Sequence, residues 1–158
     1  MAHTIDIRKS SRSRAIPRRR LERLTRRTLR TVLDGEGLNG AELGAWFVDD
    51  PAIAALNRVH RRVDRSTDVL AFPLAETDEL HNPGVHLGDL VISLPTARRQ
   101  AHDLGHPLEV ELALLLIHGA LHLLGHTHED ARDTRRMRRK EQAYLAALGF
   151  PGVNSETP

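Results

Sequence analysis

The sequence predicts an α/β (α+β) domain: a small four-stranded sheet flanked by about five helices. Three observations carry that prediction. Short apolar or alternating runs of strand length interleave with longer stretches of helical period. Breakers and caps punctuate them, notably Pro17, Asp50-Pro51, Pro73, Pro95, Pro107 and Gly125. The chain has 158 residues and 40% hydrophobic content, enough for one packed core. A single domain is therefore expected over residues 1–150, with a flexible tail over 151–158.

Taken in order, His3 to Arg8 alternates and reads as a strand. Ile16 to Leu33 reads as a helix, with Pro17 suited to its first position and Leu21, Leu24, Leu29 and Val32 near helical spacing. Gly35 to Gly40 (GEGLNG) is a loop. Ala45 to Val48 is a strand, and Asp50-Pro51 opens a short helix through Leu56. Asp68 to Phe72 (DVLAF) reads as a buried strand ended by Pro73. After a polar stretch with a turn at Asn82 to Gly84, Leu87 to Ser93 is the fourth strand. Helices follow over Pro95 to Asp103, Pro107 to about Leu124, and Glu129 to Leu148. Strands mixed with helices in this way form a layered α/β or α+β domain.

Composition narrows the function classes. With no cysteine, disulfides, thiolate catalysis and Cys-based zinc fingers are excluded. The longest apolar run, Leu112 to Ile117, is far short of a bilayer span, and no signal-peptide pattern opens the chain. A cytoplasmic protein without a membrane partner is expected. Net charge is only +2, but residues 8 to 30 carry eleven Arg or Lys against the single acid Glu22. Six more basic residues crowd Arg132 to Lys140. Such clusters attract polyphosphate by releasing counterions, and they equally serve as plain solvated helix faces.

The most informative stretch is residues 118 to 128, HGALHLLGHTH, which holds four of the ten histidines. Four residues rotate a helix by a net of about 40° and raise it about 6 Å, so His118 and His122 share one face. The preceding LALLLI is apolar nearly all round, which predicts a buried helix. Buried imidazoles need partners. Gly125 suits a left-handed helix end, after which the chain can return His128 to the same point. His126 competes for that role, but reversal after the glycine takes two further residues, which favours His128. Three imidazoles with a fourth position open are the plan of a catalytic zinc site. Nickel, copper and cobalt accept the same ligands.

The spacing matches the metzincin helix pattern H-E-x-x-H-x-x-G-x-x-H, whose Glu is the general base of a protease. Here that position is Gly119, which cannot take a proton, so peptide hydrolysis by that route is disfavoured. A second stretch, LNRVHRRVDRSTDVLAFP from Leu56 to Pro73, sets Arg58, Arg61, Arg62 and Arg65 beside Asp64, Thr67 and Asp68. A guanidinium fork suits a phosphodiester, though alone the stretch also fits a solvated loop. In a third, LGDLVIS, Asp89 either orients a ligand histidine or caps a turn.

These three stretches, in this order and spacing, resemble the YbeY family, bacterial endoribonucleases of ribosomal RNA maturation. The resemblance covers roughly residues 43 to 150. The family motif H-G-x-L-H-L-x-G-[YH]-D-H falls on His118, Gly119, Leu121, His122, Leu123, Gly125, His126 and His128. By that resemblance the zinc ligands are His118, His122 and His128, one ion per chain. The functional arginine is Arg61, following Asn57. His60, Val63, Ser66 and Thr127 depart from the family's usual aromatic, Lys, Pro and Asp. The resemblance implies a mixed sheet with the histidine helix covering one side of the site. It also implies zinc-dependent cleavage of single-stranded RNA, in 3′-end maturation of 16S ribosomal RNA and late ribosome quality control, with the small ribosomal subunit as partner. Two other readings remain: a metallopeptidase-like hydrolase with a relocated base, and a non-catalytic, zinc-stabilised ribosome-binding module.

Overall fold

A computed structural model of the chain describes residues 2–61 and 67–150. Among them are β1 (Thr4–Lys9), α1 (Arg18–Gly35), β2 (Glu42–Val48), α2 (Asp50–Arg61), β3 (Val69–Pro73), β4 (His86–Ser93), α3 (Leu94–Leu104), α4 (Leu108–Leu123) and α5 (Ala131–Ala147), with a 3₁₀ turn at Thr77–Glu79. The strands form one mixed sheet of order β1-β2-β4-β3. β1 and β4 run parallel to β2, and β3 runs antiparallel to β4. The expected four strands and five helices are thus present. Residues 151–158, read as a tail, lie outside the described residues.

Alternation along the strands divides the sheet into two faces. Leu43, Ala45 and Phe47 of β2, with Leu90 and Ile92 of β4, join the main core with α1, α4 and α5. On the other face Val48, Leu70 and Val91 form a smaller cluster with Ile53 of α2. At the centre of the main core lies α4. Every residue from Val110 to Leu123 except His118 and His122 is buried. Its two-sided apolarity is therefore matched by neighbours all round: α1, α3, α5, β3 and β4 pack against it. Each fully buried leucine there stabilises the fold by about 1.5–3 kcal/mol.

Gly119 sets how closely α4 approaches the sheet. A Cβ at this position would fall 2.8 Å from Leu90 Cδ2 and 3.3 Å from Val69 Cγ2. The missing side chain is thus a packing requirement as well as a missing base. A glutamate at 119 would have to displace the β3–β4 surface.

Three elements differ from the sequence reading. β3 is an edge strand in which Leu70 alone is buried, so its apolar run reflects one covered face; Pro73 fits an edge, where a missing N–H costs no ladder bond. β2 begins three residues before Ala45, at Glu42, because Gly44 interrupts the apolar alternation without interrupting the strand. α2 continues past Leu56 to Arg61. The first part of the stretch read as a phosphate-binding or solvated loop is therefore the last turn of a helix.

Asp50 staples α2 to α3. Its carboxylate accepts from Ser93 Oγ and Thr96 Oγ1, both at 2.6 Å, and from Arg99 at 2.7 Å. Burial opposes the charge, but the hydrogen bonds from Ser93, Thr96 and Arg99 outweigh it and hold the carboxyl below its ordinary range. A depressed folded-state pKa contributes stability that is present above the ordinary carboxylate pKa and is lost as pH falls through the depressed value. Asp50→Asn is expected to cost about 1.5–3 kcal/mol at neutral pH. Urea titrations of both proteins should converge as pH drops below about 4; a constant gap across pH would contradict this account.

Candidate metal centre

Two of the candidate ligands come from the last turns of α4 and the third from the loop after it. The helix ends in a Schellman motif. Gly125, at φ 91°, donates to the His122 carbonyl at 3.0 Å, and His126 donates to the Leu121 carbonyl at 3.0 Å. The chain then turns back. The His128 ring centroid lies 4.8 Å from that of His118 and 5.0 Å from that of His122, and the His118 and His122 centroids are 4.6 Å apart.

The donor atoms face inward. His118 Nε2 and His122 Nε2 are 3.1 Å apart, and one donor atom from each of the three residues lies within 4.8 Å of the others. Two ligands on one tetrahedral zinc ion sit about 3.3 Å apart, given bonds of about 2.0–2.1 Å. The trio can therefore hold a metal. Its protonation suits that role. Burial, then the charges of His118 and His128, push His122 down to about 4. Burial and the His118 charge also lower His128. Both imidazoles are thus neutral at pH 7, with lone pairs free to bind a cation.

His126, the competing ligand, is held elsewhere. Its Nε2 lies 2.8 Å from Glu36 Oε1, at the end of α1. Glu36 also accepts from Lys140 Nζ at 2.8 Å and from the Tyr144 hydroxyl, both on α5. Burial works against the Glu36 charge, yet the bonds from Lys140, Tyr144 and His126 lower its pKa overall. This hub fastens the loop between two ligands to two other helices. Thr127 adds a further tie, donating to Asp133 Oδ2 at 3.1 Å.

The trio opens onto a cavity of about 1000 Å³. β3 from Val69 to Pro73 also lines it, as do Asp68, Thr96 and Gln100. His60 also lines it, and its ring meets Phe72 edge-on at 4.8 Å. Arg61, the candidate arginine, closes α2 immediately after His60. Its side chain lies outside the described residues, as do Arg62, Val63, Asp64, Arg65 and Ser66.

Asp89 does not orient a ligand. Leu90, its neighbour on β4, points at Gly119 of α4, so Asp89 projects from the opposite face, where it leans over Gly44. A different carboxylate approaches the trio: Glu141 Oε2 on α5 lies 3.5 Å from His118 Nδ1. Sequence reasoning missed Glu141 and Glu36. The first had a visible signal, a glutamate inside the apolar stripe Met137, Leu145 and Leu148. The second had none, because its partners are 90 to 108 residues away.

A buried helix carrying two imidazoles, a left-handed turn and a third imidazole define an α/β protein with a zincin-like histidine helix and a candidate metal site at its end. Comparison with known proteins makes the class specific. The sequence matches the family described as Endoribonuclease YbeY over residues 6–149. The Endoribonuclease YbeY of Desulforamulus reducens is 44% identical over 134 residues, covering 82% of this chain and 88% of that one. That of Moorella thermoacetica is 47% identical over 131 residues, covering 78% and 84%. A solution structure of a Thermotoga maritima protein shares the fold, with a TM-score of 0.60, 24% identity and 97% coverage of both chains. The chain belongs to the YbeY family of endoribonucleases.

The depressed pKa of His122 has a measurable consequence. Between about 4 and the ordinary histidine value the unfolded chain binds a proton that the folded chain refuses, so stability rises with pH across that window. Metal-free protein is expected to lose stability as pH falls from about 6.5 towards about 4. Chemical denaturation of apo wild type and apo His122→Asn should show a steeper acid decline in the wild type; equal slopes would rule out the burial of a neutral His122.

Proposed function

We propose that this chain is a zinc-dependent endoribonuclease that cuts single-stranded RNA. Its role would be 3′-end maturation of 16S ribosomal RNA and late ribosome quality control, in the cytoplasm and on the small ribosomal subunit. The observation that carries the catalytic reading is the convergence of His118, His122 and His128 on one point at the mouth of a large cavity. Family membership supplies RNA as the substrate class. The whole of residues 1–150 would act as one catalytic domain.

The chain's own residues divide the work. His118, His122 and His128 hold the ion. Zinc held there would supply Lewis acidity. Arg61 clamps the phosphate with its guanidinium fork and neutralises charge that grows in the transition state. β3 and the His60–Phe72 pair line the same cavity. Arginines on the exposed faces of α1 and α5, including Arg19, Arg23, Arg27, Arg135 and Arg139, offer cations for the flanking backbone. Gly119 leaves no carboxylate where a peptidase of this helix pattern keeps its base, and the packing against Leu90 leaves no space for one.

The test is cleavage of matched single-stranded and duplex RNAs, one spanning the 3′ boundary of small-subunit ribosomal RNA, with a peptide substrate as control. Chelation or His118→Ala is expected to lower kcat/KM more than about 100-fold, beyond the usual loss of an outer ligand partner. Arg61→Ala is expected to lower it on the order of 10²–10³-fold. Undiminished RNA cleavage by chelated His118→Ala protein would end the metal-dependent reading. Undiminished cleavage by folded Arg61→Ala protein would remove the phosphate clamp.

A further inference from the structure

Glu141 stands out among the buried charged groups. It sits on α5 between the buried side chains Met137 and Leu145, and it is 2% exposed. Its Oε2 has no hydrogen-bond partner among the described residues, and neither has His118 Nδ1. These two unpartnered atoms face each other across 3.5 Å. A carboxylate is costly to bury without compensation, so a glutamate in an apolar stripe calls for a partner. The one it faces is the ring of a candidate metal ligand.

Ring orientation sets the direction of the interaction. His118 Nε2 points to His122 Nε2 at 3.1 Å, into the cluster. Nδ1 is therefore the nitrogen turned away from the ligand point and towards α5. If Nε2 gives its lone pair to a cation, Nδ1 must carry the hydrogen, and Glu141 is placed to accept it. A cation on Nε2 also makes the Nδ1–H a stronger donor, so the contact tightens as the site loads. Glu141 does not line the cavity, which excludes it from touching a substrate there.

We propose that Glu141 is a positioning residue for the metal centre: it fixes the tautomer and rotation of His118 so that Nε2 is presented to the ion. The inference rests on the proposed metal site. It adds that α5, which contributes no ligand, sets the affinity of that site. Glu141 then does for the α4 ligands what Glu36, through His126, does for the loop that carries His128.

The experiment is zinc affinity by chelator competition on full-length wild type, Glu141→Gln and Glu141→Leu, with thermal unfolding of the apo forms as a folding control. Cobalt-loaded absorption spectra would accompany it. Glu141→Leu is expected to weaken zinc binding about 10–100-fold, with Glu141→Gln between it and the wild type. The cobalt bands should shift in both. Wild-type affinity and bands in folded variants would overturn the positioning role. Because a substitution at a buried site can unfold the chain, the His118 tautomer is also read directly, by nitrogen NMR of zinc-loaded wild type. A proton on Nδ1 with the metal on Nε2 supports the proposal; the reverse assignment refutes it. Wild-type protein that takes up neither zinc nor cobalt refutes the underlying metal site itself, a result distinct from unaltered binding in the variants.

Discussion

The burial of α4 is the constraint on which the site depends. A helix apolar on all sides must be wrapped, and here it is wrapped by the sheet on one side and by α1, α3 and α5 on the others. An imidazole near the end of such a helix, His122, cannot stay charged cheaply, and burial is the largest cause of its low pKa. The same wrapping brings α4 against Leu90 and Val69, where only a glycine fits without displacing a neighbour. A neutral His122 and the absence of a helix-borne base therefore share one cause. Both follow from sinking this helix into the core.

That constraint explains how a centre with ligands from one short stretch comes to depend on distant parts of the chain. The Schellman turn at Gly125 reverses the backbone, but a reversal alone would leave the loop loosely placed. Glu36 gathers His126, Lys140 and Tyr144 at one carboxylate, and Thr127 reaches Asp133. The loop between His122 and His128 is thus tied to α1 and α5. Less of the binding energy then goes into ordering the ligands.

Much of this was legible in the residues, and the limits have physical reasons. The histidine spacing, the glycine after it and the apolar run before it are local signals, and helix geometry translates local spacing into shared faces. They anticipated the convergence of His118, His122 and His128 and the helix end, and set His126 apart from the trio. Signals that depend on pairing were weaker. DVLAF looks the same whether a strand is central or at an edge, because one covered face can produce a short apolar run. LGDLVIS shows an aspartate near a strand but not which face of the sheet it takes, and Asp89 takes the face away from α4. Residues 57–61 look like loop because all but Val59 are polar, yet a helix with one face in water is expected to be polar there.

The two missed glutamates show where sequence reasoning should look next. A charged residue on a helix surface is unremarkable, and Glu36 carries no mark of its role before the fold is known. Glu141 is different in kind. It occupies a position that the period of α5 assigns to the core, between Met137 and Leu145. A carboxylate there conflicts with its surroundings unless something cationic or hydrogen-bond-donating faces it. Local conflict of this sort is how functional sites often announce themselves. Near a histidine motif the conflict also has a direction: the donor is a ring N–H, and the ring's other nitrogen is the ligand atom. The same logic applies to Glu111, a fully buried acid in the first turn of α4. It is answered by His106 at 2.6 Å, just before the helix begins. That histidine lies in a different part of the fold from the trio, so Glu111 Oε2 finds its donor within the scaffold, while Glu111 Oε1 has no hydrogen-bond partner among the described residues. Among the described residues, Glu141 Oε2 makes no hydrogen bond and faces a candidate ligand instead.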